Sequence, residues 1–104
     1  MIKFSTVTNK KGKIVAFTVQ GHSGLSESGT DILCAAVSTA VWMTINGIEK
    51  QNLADIVYVQ EDGFVECRIP EKREVAADAL LNSLVYIMSG LSAQYKKNLF
   101  ITRL

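Results

Sequence analysis

From its first residues, MIKFSTVT, the chain alternates apolar and polar positions, the period-two pattern of a half-buried strand. Ile2 to Val7 and Ile14 to Val19 have strand composition, and Asn9-Lys10-Lys11-Gly12 between them supplies turn chemistry, so the pattern predicts an opening hairpin. From Leu33 the period changes. Leu33, Ala36, Val37, Ala40, Val41, Thr44, Ile45 and Ile48 follow the i, i+3, i+4, i+7 spacing of a helix with one buried stripe. Ile56 to Val59 and Phe64 to Ile69, joined across Glu61-Asp62-Gly63, repeat the hairpin signature, and Pro70 ends the second strand because it cannot donate to a ladder. Ala77, Leu80, Leu81, Leu84, Val85, Met88, Leu91 and Tyr95 give a second helical stripe, beginning in the 71–74 stretch and interrupted only by Gly90; Leu99 to Thr102 reads as a last short strand.

The predicted order is therefore ββαββαβ, in which strand-turn-strand-helix occurs twice without residue-level repetition. Helices with one apolar stripe and strands with one apolar face are most economically buried as a sheet covered by helices, so the fold class expected is α+β in two layers, with both helices packed on the sheet. At 104 residues, positions 1–104 are expected to form a single domain, and any site shares its scaffold with the only core.

Composition narrows the function. Hydrophobic residues make up 48% of the chain and charged residues 20%, the balance of a soluble globular protein. A formal charge of +1 with no single-sign cluster gives no phosphate-neutralising surface, so no direct nucleic-acid partner is expected. The start lacks the continuous apolar core of a signal peptide, and no apolar run approaches membrane-spanning length, so the expectation is a cytoplasmic protein with no membrane partner. Two cysteines and one histidine fall short of a four-ligand structural zinc site, and no phosphate-loop, dinucleotide or zincin motif occurs; neither a metal nor a cofactor is expected.

One stretch stands out chemically: GHSGLSESGTDILCAA, residues 21–36, holds the only histidine, His22, and one of the two cysteines, Cys34. A cysteine is nucleophilic only as thiolate and needs a base or a positive field beside it. Asp31 is a good N-cap residue, which would place Cys34 in the first helical turn, where free N–H groups favour an anion and could also face an oxyanion. His22 leaves the end of a strand, and a loop over Ser23 to Thr30, with Gly24 and Gly29, can return the chain so that the imidazole reaches the helix start. Set against this, a lone cysteine is usually a small buried hydrophobe and a histidine after a strand a turn residue. Cys67 shares a strand face with Val65 and Ile69, so core packing accounts for it. Ser38, one turn beyond Cys34, could bond an i−4 carbonyl, and Trp42 and Met43 flank the main stripe without an assigned role.

The series Gly-His-Ser, seven residues, then Asp-Ile-Leu-Cys-Ala-Ala-Val-Ser, from Gly21 to Ser38, resembles the signature of the bacterial ribosomal-processing cysteine protease family, Prp. Gly21, His22, Gly29, Asp31, Cys34, Ala35 and Ser38 stand in register with it, while Ser23 occupies a position where the family commonly has Ala. The resemblance extends in pattern to essentially the whole chain. It implies a homodimeric cysteine endopeptidase that removes the N-terminal extension of large-subunit ribosomal protein twenty-seven, a segment with bulky apolar residues ahead of the cut. On that resemblance His22 is the base and Cys34 the nucleophile of a dyad, Gly21, Ser23, Gly29, Asp31 and Ser38 bind substrate or support them, and the 23–30 loop closes over the peptide. Two other readings remain: a non-catalytic, ribosome-associated peptide-binding protein in which Cys34 merely packs, and a redox-sensing thiol with Cys67 as resolving partner.

Overall fold

The computed structural model of the chain describes residues 1–22 and 27–104, with the side chains of residues 27–31 outside that description. Seven elements follow the predicted order: β1 (Ile2–Thr8), β2 (Ile14–Gly21), α1 (Glu27–Lys50), β3 (Val57–Glu61), β4 (Phe64–Arg68), α2 (Val75–Gln94) and β5 (Leu99–Arg103). The strands form one sheet of order β3-β4-β2-β1-β5. Both hairpins are antiparallel, β2 and β4 join them antiparallel, and β5 closes the other edge parallel to β1.

Alternation decides which sheet face is buried. Ile2, Phe4 and Thr6 of β1 point into the core, and Ile14, Phe17, Cys67 and Leu99 join them from the other strands. Both helices lie on this face in a single cluster, so the fold is α+β in two layers. Leu33, Val37, Val41, Thr44, Ile45 and Ile48 of the α1 stripe are buried, as are Ala77, Leu81, Leu84 and Met88 of α2. The predicted period thus identified the correct face of each helix.

In length and mean hydropathy, 1.4 each, Ile32–Lys50 and Val75–Gln94 reach the range of a membrane span, although polar residues interrupt both, Ser38, Thr44 and Asn46 in the first and Asp78 and Asn82 in the second. Their apolar stripes are spent on the sheet instead.

Helix α1 starts earlier than the sequence suggests. It begins at Glu27, so Gly29 and Asp31 lie inside it and Asp31 is not its N-cap. The Ser28, Gly29, Thr30 and Asp31 run has weak helix propensity and reads locally as loop, but propensity yields once the following turns are anchored by Leu33 and Val37 in the core. The other end stops at a Schellman turn: Asn52 adopts φ 55°, its N–H donates to the Glu49 carbonyl (3.2 Å), and the Leu53 N–H donates to the Ile48 carbonyl (2.9 Å). The connection into α2 is held by Arg73, whose side chain is fully buried; its guanidinium donates to the Ile14 carbonyl (2.5 Å) and pairs with Asp78 (2.7 Å).

Candidate active site

Strand β2 is central, flanked by β1 and β4, and His22 follows directly from its last residue. Two neighbours hold that strand end. Gly21 pairs with Ile2 on one side, and on the other its N–H donates to the Gly63 carbonyl in the β3–β4 turn (2.8 Å). Gly21 needs to be glycine, because its φ is +97° and a Cβ there would collide with the Met1 carbonyl oxygen.

Cys34 comes from α1, on the helix layer facing this strand end. It is half-buried and packs at the edge of the core, as its angular position beside the stripe predicts. His22 and Cys34 line one cavity of about 180 Å³, with Gly21, Ser38, Gly63 and Trp42 also in its wall. Ile2, Val19, Val37, Val41, Phe64 and Val65 make the rest of that wall apolar. The two residues that the sequence paired are therefore brought to one place, with His22 exposed and Cys34 at the rim of the core.

Two expectations about Cys34 require correction. As the eighth residue of a helix that starts at Glu27, it lies beyond the first turn, where the free N–H groups and most of the dipole effect reside. Its own N–H is committed to the helix ladder, so neither the electropositive first turn nor an oxyanion donor at Cys34 follows from this geometry. The expected 23–30 loop is likewise shorter, since residues 27–30 are helical. Ser23 and the rest of that stretch lie outside the described residues, as does the side chain of Asp31.

Sequence reasoning left Trp42 unassigned and missed Gly63. Cys34, Ser38 and Trp42 are spaced four apart on α1, so they form one ridge along the helix, and that spacing was the available signal for Trp42. Trp42 packs edge-on against Tyr58 of β3, with ring centroids 5.6 Å apart. Gly63 carried no comparable signal, because its nearness to His22 depends on β4 pairing with β2.

The second thiol is a different object. Cys67 is 0% exposed, and burial, reinforced by the negative charge of Glu49, pushes its pKa up from 9.0 to about 12. It is protonated at neutral pH and serves as core, as predicted from its strand face. A resolving thiol must ionise or be reached, so the redox reading loses its second partner.

The family model described as "Cysteine protease Prp" matches residues 1–100. The chain belongs to the Prp cysteine protease family. It is 29% identical over 96 residues to the ribosomal processing cysteine protease Prp of Bacillus subtilis, covering 86% of this chain and 85% of the relative. To the protein of the same description from Staphylococcus aureus strain Mu50 it is 25% identical over 101 residues, 95% of each chain. Its fold matches that of the S. aureus Prp protease crystallised with a covalently linked product peptide at a TM-score of 0.91, with 22% identity and both chains covered completely. The S. aureus Prp complex with a substrate peptide gives a TM-score of 0.89 at 21% identity, again with both chains fully covered. Membership of Prp makes the chain a cysteine peptidase and removes the reading of a non-catalytic binding protein.

Proposed function

We propose that this Prp protease is a processing endopeptidase that removes the N-terminal extension of large-subunit ribosomal protein twenty-seven, with Cys34 as nucleophile and His22 as base. The observation that carries this is the convergence of the only histidine and the half-buried cysteine on one largely apolar cavity. The ribosomal processing described for the B. subtilis and S. aureus relatives supports the substrate class. An apolar wall beside the nucleophile suits bulky apolar side chains ahead of the cut.

In the proposed reaction, the Cys34 thiol loses its proton to His22 and the thiolate attacks the scissile carbonyl carbon. The tetrahedral intermediate collapses as the imidazolium protonates the leaving amine, releasing the mature protein with a new N-terminus. Water, deprotonated by His22, then attacks the thioester and frees the extension and the thiol. Gly21 and Ser38 line the same cavity as supporting residues, whereas Gly29 and Asp31 act, in this reading, from the helix that carries Cys34.

The protein works in this reading as a cytoplasmic homodimer. Met43, Tyr86 and Ile87 expose apolar surface on the outer side of the helix layer, at 70, 81 and 50%, which a second copy would cover. Sedimentation equilibrium checks this, and a monomer at micromolar concentration argues against it.

The deciding assay incubates purified protein with a peptide spanning the junction between extension and mature sequence, read by mass spectrometry. One cut at the junction is expected, with none from Cys34→Ala and none from His22→Ala. Cleavage by Cys34→Ala would overturn the nucleophile assignment, and an intact peptide with the unaltered protein would overturn the substrate.

A further inference from the structure

The β3–β4 turn does more at this site than reverse the chain. Register brings Gln20 opposite Phe64, so the turn at 61–63 projects beside the strand end from which His22 emerges. The Gly63 carbonyl accepts the Gly21 N–H at 2.8 Å, tying the residue before His22 to the turn. The imidazole itself lies against Gly63: a Cβ there would sit 3.1 Å from Nε2, 3.5 Å from Cε1 and 3.8 Å from Cδ2. Both residues belong to the wall of the cavity that holds Cys34. Gly63 also has φ +69°, a left-handed conformation that favours glycine for the turn alone.

The molecule supplies its own control for that second role. Gly12, in the β1–β2 turn, has φ +80°, but a Cβ there would meet nothing within 4 Å. The two hairpin glycines thus share a backbone requirement, and only Gly63 also makes room for a ring.

We propose that Gly63 is a positioning residue for His22, its missing side chain forming the floor on which the imidazole rests and its carbonyl fixing the backbone before it. The proposal rests on the reading of His22 as the base. A side chain at position 63 presses on Nε2, and the ring is displaced because it is the movable partner against a hydrogen-bonded turn. A misplacement of about 1 Å can cost about a hundredfold in rate, so the few tenths of an ångström that a Cβ at 3.1 Å demands of the ring is expected to cost about tenfold. Because His22 acts on bound substrate, the loss falls on kcat and leaves KM near its original value.

The test compares Gly63→Ala, Gly63→Asn and Gly12→Ala in the peptide-cleavage assay, alongside thermal unfolding and NMR of the imidazole resonances, which belong to the chain's only histidine. Asn tolerates the left-handed region, so Gly63→Asn separates turn strain from contact with the ring. The expected result is a tenfold or greater loss of kcat in both position-63 variants with displaced imidazole signals, while Gly12→Ala melts lower but keeps kcat and the His22 signals. Wild-type kcat and unmoved His22 resonances in Gly63→Asn would overturn the proposal, as would an equal loss of kcat in Gly12→Ala. Failure of the underlying reading would show differently, as cleavage that survives His22→Ala.

Discussion

The two halves of the molecule share one layout, a hairpin followed by a helix, and use it for opposite purposes. In the first half, the passage from β2 to α1 brings His22 and the half-buried thiol of Cys34 to an open cavity. In the second half, the passage from β4 to α2 is closed by Arg73, fully buried between the Ile14 carbonyl and Asp78, and the cysteine of that half, Cys67, is sealed in the core. Chemistry sits where polar groups stay accessible to a ligand; stability sits where every approach is filled. The repeated topology supplies two strand–helix connections, and side chains decide which is a site and which a clamp.

Exchanging sulfur for oxygen in each half should separate the roles most sharply. Cys34→Ser is expected to lose at least about a thousandfold in kcat with little change in unfolding, since it removes the nucleophile from a half-buried position. Cys67→Ser should keep kcat but lose about 1–3 kcal/mol of stability, because it buries a hydroxyl among apolar neighbours. Peptide turnover and denaturant unfolding measured on both variants check the pair of outcomes, and a reversal would erase the distinction between site and core.

Arg73→Ala comes next, with an expected loss of about 2–3 kcal/mol in urea unfolding; it strands the Ile14 carbonyl and leaves Asp78, 27% exposed, without its cation. Turnover by the folded fraction should be unchanged, because Arg73 lines no part of the His22–Cys34 cavity. A fall in kcat at full folding would show that the clamp and the site are coupled.

Alkaline pH tests the second half by itself. The Cys67 thiol is raised from 9.0 to about 12 in the folded chain, so between those values the unfolded state releases its proton while the folded state retains it. Stability is then retained below about pH 9 and falls as pH rises towards 12, and Cys67→Val should flatten that slope in a series of unfolding curves. The smallest effect belongs to Arg68. It pairs with Glu66 at 2.9 Å but is 74% exposed, so Arg68→Ala should shift stability by less than about 0.5 kcal/mol in the same unfolding measurement, in contrast to Arg73.

What the sequence by itself determined is whatever follows from short-range periodicity. The order of seven elements, the buried stripes from Leu33 to Ile48 and from Ala77 to Met88, and the inward face of Cys67 are all set by which neighbours along the chain share a side. The pairing of His22 with Cys34 was legible as chemistry and became specific through the resemblance to Prp. The start of α1 was not legible, because the local signals at Asp31 and Gly29 favour a boundary that the packed helix overrides. Only the tertiary structure decided that β4 lies beside β2, that Gly63 supports the imidazole, and that Arg73 is buried. Those outcomes depend on strand order and helix placement, which join residues about 20 to 60 positions apart and leave no periodic trace along the chain.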